Sequence, residues 1–253
     1  YVNQRLEMPF VWVALLAEGD KSLSYLLQDI DPLSNAHSKA DEFEKMIAVF
    51  RSWKASLLAA ASGMRTLMWA ELHYGARFGP QCTDLVSFGR GELFFSQQRV
   101  PTMSGSLLQQ THLAVNDVQA EESTINLADE KAWPTIVNAP QAPAGDIVSP
   151  LRDVKNGKRV TEVIQAKLSW RHTSITEPVV QAERPKACGE DDFFLLISTA
   201  VVRANRIPPR TAVVGKQDFK AYFGPFAGRA FLAEKRRRER KQQSPARYLH
   251  SLP

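Results

Sequence analysis

Apolar residues in the first third of the chain recur mostly at helical spacing. The segments FVWVALLAEG and LSYLLQDI, between Phe10 and Ile30, predict two short helices that end at a polar break. From Asp41 to about Tyr74 the chain is rich in Ala, Leu, Met and Glu, which predicts one long helix or a kinked pair. Gly63 is the expected break, because glycine costs a helix interior about 1 kcal/mol relative to alanine.

The middle of the chain has a weaker pattern. TDLVSFGRGELFFSQQ predicts two strands, with Phe88-Gly89-Arg90-Gly91 as a hairpin turn between them. Between Pro101 and Pro143 the chain is polar, and only QQTHLAVNDV and TIVNA have the character of ordered pieces. Residues 101–143 are therefore predicted to form a long loop or an insertion.

Strand patterns dominate the second half. GDIVSPL and RVTEVIQAKLSW predict two strands joined by a turn at Asn156-Gly157, the strongest hairpin of the sequence. ITEPVVQAERP is compatible with a short helix or an irregular segment. DDFFLLISTAV is a continuous apolar run, typical of a buried central strand, and TAVVG predicts another strand. A helix is expected to begin between Gln217 and Tyr222, and FGPFAGR interrupts it before the basic AFLAEKRRRERKQQ.

These elements predict an α/β fold with a mixed central sheet flanked by helices. We expect an N-terminal helical appendage in residues 1–40, an α/β domain in residues 41–232 and a basic tail in residues 233–253. The 253 residues contain 44% hydrophobic side chains, enough for one large core or two modest ones. The chain has no internal repeat of fixed period, which argues against a solenoid or a propeller.

Composition and missing motifs exclude several classes of function. No run of eighteen apolar residues occurs and the first residues lack a signal-peptide pattern, so no membrane attachment is expected, although a chain that opens on Tyr1 could have lost a targeting segment. Cys82 and Cys188 stand far apart, which argues against a zinc site and a disulfide framework. Neither a P-loop nor a G-x-S-x-G motif is present. The net charge of +5 suits a polyanionic partner.

The candidate chemistry lies in the predicted hairpin. Asp146 begins its first strand, and Gln165 and Lys167 stand two residues apart on the second, on one face. The hairpin would bring Asp146 to that face and create an oxygen-rich corner beside a lysine. Such a corner suits phosphodiester hydrolysis with Mg²⁺ or Mn²⁺. The metal would polarise the phosphate and activate water, while the lysine positions water or stabilises negative charge.

This arrangement resembles the PD-(D/E)xK nuclease pattern, with Asp146 on one strand and Gln165-Ala166-Lys167 on the next. The order of elements over roughly residues 41 to 230 is also similar to that restriction-endonuclease-like fold. The resemblance implies a metal-dependent endonuclease acting on DNA. Gln165 replaces the usual acidic residue, and a neutral amide binds a hard cation more weakly. A second function therefore stays open, in which a nuclease-derived module binds DNA or a host protein without cleavage.

Other acidic residues could join or replace this set. Nucleases of this type frequently add a glutamate from the preceding helix, and Glu71 is the candidate, with a solvent-facing helix residue as the alternative. Glu162 would lie on the opposite face from Gln165, and a surface role is favoured for it. His73 is interpreted as a surface or packed histidine. Asp84 and Glu92 rank below Glu71.

A narrower resemblance is to the C-terminal domains of Crinkler effectors and retrotransposon-hot-spot proteins. It is carried by VIQAKLSW, DDFFLLIST and VVGKQDFKAYFGPFAGRAF, about a third of the chain. It implies a secreted protein that acts inside a host cell, frequently in the nucleus. The densest charge run suits nuclear import or contact with DNA phosphates, and a solvated helix end is the alternative. Its cations are Lys235, Arg236, Arg237, Arg238, Arg240 and Lys241.

Overall fold

A computed structural model describes ten parts of the chain, and all of them belong to the unit Ser38–Pro253. They are residues 40–62, 66–89, 93–95, 117–119, 124–126, 133–138, 145–168, 174–228, 230–231 and 235. The helices predicted between Phe10 and Ile30 lie outside the described residues. The three domain boundaries inferred from the sequence stay predictions.

The first described element is a long helix, α1 (Ala40–Ser62), followed by a short strand, β1 (Thr66–Met68), and a four-residue helix, α2 (Trp69–Leu72). The predicted helical stretch up to Tyr74 is therefore wrong at residues 66–68, which form a strand, whereas residues 69–72 are helical. Residues 66–68 form a strand because they pair with a distant segment, which local spacing does not reveal. No helix in the described part of the chain is long and apolar enough to cross a membrane.

The predicted hairpin forms the centre of the sheet. Strands β8 (Ile147–Asp153) and β9 (Arg159–Lys167) are antiparallel, with Ile147 opposite Ile164 and Arg152 opposite Arg159. Gly157 has a φ of +67° in the turn, a conformation that glycine adopts without steric cost. The hairpin prediction is confirmed.

Helix α3 (Glu177–Ala187) then leads to strand β11 (Phe193–Ser198), which lies parallel to β9 and is buried along its whole length. Strand β13 (Thr211–Val214) lies parallel to β11. Helix α4 (Phe219–Phe223) follows and ends at Gly224. These elements confirm the predicted central strand, the strand after it and the helix start near residue 217.

The remaining described strands extend this sheet or form small pairs. They are β2 (Arg77–Phe78), β3 (Leu85–Phe88), β4 (Leu93–Phe95), β5 (Asp117–Gln119), β6 (Thr124–Asn126), β7 (Thr135–Val137), β10 (Ser174–Ile175) and β12 (Val201–Val202). The main sheet has the order β1-β3-β8-β9-β11-β13-β2, and β7 joins β8 while β4 joins β7. The pairs β5–β6 and β10–β12 stand apart from it.

The predicted turn at Phe88 to Gly91 does not join a hairpin. Strand β3 pairs with β1 and β8, whereas β4 pairs in parallel with β7. Gly89 is needed for another reason, because a Cβ there would lie 2.3 Å from the carbonyl oxygen of Trp133. Close backbone approach, and not turn geometry, explains this glycine.

Helices pack on both sides of the sheet. On one side, α3 residues Val180 and Ala187 share a buried cluster with Val163, Phe194 and Leu196. On the other side, α1 and α2 place Arg51 and Trp69 against Glu162 of β9. The described structure is thus mixed α/β with helices on both sides of a mixed sheet, as the sequence predicted. The two faces of β9 carry different chemistry.

Candidate functional site at strands β8 and β9

Asp146 is fixed immediately before β8 by its own backbone. Its N–H donates to the carbonyl of Ile164 at 3.0 Å, and its carbonyl accepts from the N–H of Asn138 at 2.8 Å. The preceding residue must be small, because a Cβ on Gly145 would lie 2.3 Å from Cγ1 of Val163. The glycine before the aspartate therefore lets the chain pass β9 closely and sets the position of the carboxylate.

The Asp146 carboxylate meets the Gln165-x-Lys167 strand directly. Its Oδ2 accepts hydrogen bonds from Nε2 of Gln165 at 2.5 Å and from the N–H of Ala166 at 2.6 Å. Burial raises the pKa of Asp146 to about 6, and the charge of Glu183 raises it as well, while the Ala166 N–H and the charge of Lys167 lower it. The structure thus brings together Asp146, Gln165 and Lys167 as the sequence predicted.

Lys167 ends β9 and is half-exposed, and its ammonium contacts Oε2 of Glu183 on α3. Oε1 of the same carboxylate accepts from Nζ of Lys186 at 3.2 Å. Burial alone would raise the pKa of Glu183, but the hydrogen bonds and charges of the two lysines hold it below its usual value. Sequence reasoning missed Glu183. Its position in an apolar stripe with Val180 and Ala187, at helical spacing, was the available signal.

Glu71 lies elsewhere in the described structure. Its carboxylate accepts from the N–H of Met68 at 3.0 Å, at the start of α2. The neighbouring Trp69 donates from Nε1 to Oε2 of Glu162, on the opposite side of β9 from Gln165. No contact in the described part of the chain joins Glu71 to Asp146, and its role as a metal ligand stays a prediction.

Glu162 is not a surface residue, which corrects the expectation from the sequence. Its side chain is 0% exposed, and Arg51 binds it through two hydrogen bonds of 2.9 and 3.1 Å. Trp69 Nε1 lies 3.2 Å and His73 Nε2 3.3 Å from its Oε2. Glu162 does lie on the opposite face of β9 from Gln165, as the sequence predicted. Glu162 can be buried because Arg51 of α1 supplies the opposite charge. The alternation of residues along β9 gives no sign of this distant partner.

Within this buried cluster, the charge of Glu162 is balanced by Arg51 and supported by hydrogen bonds. Burial alone would raise the pKa of Glu162, but Arg51 and His73 hold it far below its usual value. Burial lowers the pKa of His73, whose Nδ1 lies 3.0 Å from the hydroxyl of Tyr222. His73 is therefore a packed histidine, one of the two interpretations that the sequence allowed.

The other residues named from the sequence lie away from Asp146 or outside the described residues. Asp84 contacts Nη2 of Arg210 at 3.1 Å, beside Asp153 at the far end of β8. Glu92 lies outside the described residues. So do all members of the basic run after Lys235. Cys82 and Cys188 are free and buried.

The donor set next to Asp146 fits a hard cation in part. In the described part of the chain, both hydrogen bonds to the Asp146 side chain use Oδ2. A half-turn of the Gln165 amide would present Oε1 in place of Nε2. Carboxylate and amide oxygens are ligands for Mg²⁺, although one carboxylate supplies only a single negative charge. Among the described residues, no group of three or more His, Cys, Asp and Glu side chains could hold a metal ion.

Comparisons with known proteins point to one kind of relative. The chain is 26% identical over 234 residues to Crinkler effector protein 108 of Phytophthora sojae. The match covers 89% of this chain and 27% of that protein, so the chain spans about a quarter of its relative. No family model matches the chain, and no solved structure matches it significantly. The chain is similar to a Crinkler effector over most of its length, which supports the Crinkler part of the resemblance seen in the sequence.

Proposed function

We propose that this chain is the endonuclease-like domain of a host-acting effector, and that it hydrolyses DNA phosphodiester bonds with Mg²⁺ or Mn²⁺. One observation carries the proposal: the Asp146 carboxylate accepts hydrogen bonds from the Gln165 amide and the Ala166 N–H, beside the strand face that also carries Lys167. The order of α1, the β8–β9 hairpin, α3 and the parallel strand β11 supports a restriction-endonuclease-like core. The similarity to a Crinkler effector supports delivery into a host cell, and we extend this to action in the nucleus.

The side chains have distinct roles in this proposal. Asp146 and the amide oxygen of Gln165 would hold the divalent cation, which supplies charge stabilisation at the phosphate and a more acidic water. Lys167 places a positive charge beside the reacting phosphate and can orient the attacking water. Burial of Asp146 would strengthen the interaction of its carboxylate with a cation relative to bulk water. Glu71, if it takes part, would have to reach the site from α2.

A specific observation favours the alternative, a nuclease-derived module that binds DNA or a host protein without cutting. The polar groups of the site already hydrogen-bond one another: Gln165 donates to Asp146, and Glu183 accepts from Lys167. A cation would have to compete with these hydrogen bonds, and Gln165 brings no charge to that competition.

Plasmid nicking separates the two functions. The wild-type protein should nick supercoiled DNA with Mg²⁺ or Mn²⁺ and not with EDTA. Asp146→Ala and Lys167→Ala should each reduce the rate at least about 100-fold, as expected for groups that act in the transition state. DNA binding by gel shift is the control, because a lysine that merely holds DNA would lose binding and cleavage together. No metal-dependent nicking by the wild type, with the biological effect kept in Asp146→Ala, would establish the binding module.

A further inference from the structure

The contact between Lys167 and Glu183 joins the end of β9 to α3, and neither the sequence motif nor the comparisons assign it a role. We propose that Glu183 is a positioning residue that holds the ammonium group of Lys167 on the sheet face shared with Gln165 and Asp146. This inference rests on the proposed nuclease function and deepens it, because it explains how a half-exposed lysine keeps one place in the site.

The solvent exposures of the two side chains indicate that Glu183 positions Lys167 and not the reverse. Lys167 is 39% exposed and has a long, flexible side chain, so without a partner it would sample many rotamers. Glu183 is only 18% exposed. It is the more constrained partner, and it therefore determines where the ammonium lies.

The docking of α3 fixes Glu183. Val180 and Ala187 are buried on the same side of the helix, three residues before and four residues after it. Arg184 anchors the helix further, because its guanidinium donates to Oγ1 of Thr211 at 3.1 Å and to the carbonyl of Asp192 at 3.1 Å. Glu183 thus extends from a helix that is tied to the sheet at several points.

The second partner of Glu183 does not explain its placement. Lys186 is 68% exposed, and an ion pair between groups three residues apart on a helix surface contributes little to stability. Lys167 lies nearer the protein interior, and its charge also acts on Asp146. Holding it in place before DNA arrives removes an ordering step from the reaction, which is how positioned groups accelerate catalysis.

The test uses the full chain with Glu183→Gln, Glu183→Asp and the matched control Glu177→Gln. Glu177 is on the same helix, and its carboxylate accepts from Nε2 of Gln181 at 3.2 Å. The first measurement needs no nuclease activity: Lys167 is acylated with an amine-reactive ester, and its rate is compared with that of exposed Lys155 by peptide mass spectrometry. Glu183→Gln should raise the relative rate about fivefold, the size expected for loss of a partly exposed ion pair.

The second measurement is steady-state cleavage with Mg²⁺. Glu183→Gln should lower kcat about tenfold with KM within a factor of about two, because a positioning residue acts on the reacting arrangement more than on DNA affinity. Glu183→Asp, which keeps the charge, should restore part of kcat. Glu177→Gln should behave as the wild type in both measurements.

The outcomes separate this inference from the nuclease proposal. An unchanged acylation rate of Lys167 in Glu183→Gln overturns the inference, whatever the cleavage rate does. A cleaving wild type whose kcat is insensitive to Glu183→Gln also overturns it. A wild-type protein that cuts no DNA counts against the nuclease function, and the acylation rates still decide whether Glu183 holds Lys167.

Discussion

The two faces of β9 differ in how far their charged residues are exposed to solvent, although these residues are only a few positions apart. On one face, Glu162 is 0% exposed and its partner Arg51 is 2% exposed. On the other, Lys167 is 39% exposed, and Asp146 is partly buried with a raised pKa. A buried ion pair with its hydrogen bonds satisfied holds α1 to the sheet, and solvent cannot reach it. The half-exposed face keeps charged groups where a substrate could meet them.

This difference teaches how to rank acidic residues in a site of this kind. Glu162 has the more perturbed environment, yet Arg51, Trp69 and His73 surround it and leave no access. Asp146 lies next to a lysine that solvent can reach. Accessibility therefore decides the ranking more than the size of a pKa shift, because structural ion pairs also perturb pKa values.

The comparison is tested most strongly by removing the buried charge. Glu162→Gln leaves the Arg51 guanidinium buried without a counter-ion and should lower the free energy of unfolding by about 3–5 kcal/mol. Urea unfolding followed by circular dichroism measures the change. Glu183→Gln, on the accessible side, is the control and should cost about 1 kcal/mol or less. Equal losses in the two variants would remove the distinction between the faces.

Adding a charge to the accessible face should sharpen the comparison. Gln165→Glu gives the proposed metal site a second carboxylate and should lower the Mg²⁺ concentration for half-maximal cleavage about tenfold, equivalent to about 1.4 kcal/mol. Titration of nicking rates with Mg²⁺ measures the shift. The matched control is Gln181→Glu on α3. A Mg²⁺ requirement that does not move in Gln165→Glu would mean that residue 165 does not bind the cation.

The pH dependence of stability should report the titration of Asp146 on the accessible face. Burial raises the pKa of Asp146 from 3.8 to about 6, so the native protein keeps this proton where the unfolded chain has lost it. Stability contributed by this group is therefore lost as the pH rises from about 4 to about 6. Asp146→Asn should be more stable than the wild type by up to about 3 kcal/mol near neutral pH, the free-energy equivalent of this change in pKa, and no more stable near pH 4.

Thermal unfolding at several pH values checks this prediction, and Mg²⁺ provides a second arm. If a cation binds the ionised carboxylate, Mg²⁺ should raise the wild-type melting temperature at neutral pH and not that of Asp146→Asn. Equal stabilities of the two proteins across the pH range would show that Asp146 titrates normally.

The smallest expected effect on cleavage comes from the basic run Lys235–Lys241, which belongs to neither face. Deleting Lys235 to Lys241 should lower nuclear accumulation and weaken DNA binding, and the slope of log K against log [salt] should fall by up to about 5, for six cations at about 0.9 each. Cleavage at saturating DNA should stay close to that of the full chain, because Asp146 and Lys167 are untouched. An unchanged location and salt slope would remove the basic run from both roles.

Sequence pattern was sufficient for the hairpin and for the approach of Asp146 to Gln165. Strand alternation placed Gln165 and Lys167 on one face, and the Asn156-Gly157 turn set the register that brings Asp146 to it. These are local rules, because side chains alternate with period two and a short turn fixes which residues stand opposite one another. The buried strand β11 was equally clear from its continuous apolar run.

Tertiary structure decided the strand pairings and the charge partners that involve residues distant in the chain. Thr66–Met68 forms a strand only because residues 85–87 pair with it, and β4 pairs with β7 instead of β3. Glu162 is buried because Arg51, 111 residues earlier, supplies the opposite charge. Glu183 reaches Lys167 because α3 docks on that side of the sheet. The sequence by itself determined the hairpin with its three candidate residues, whereas long-range packing determined their neighbours, since the cost of burying a charge depends on partners that no local pattern contains.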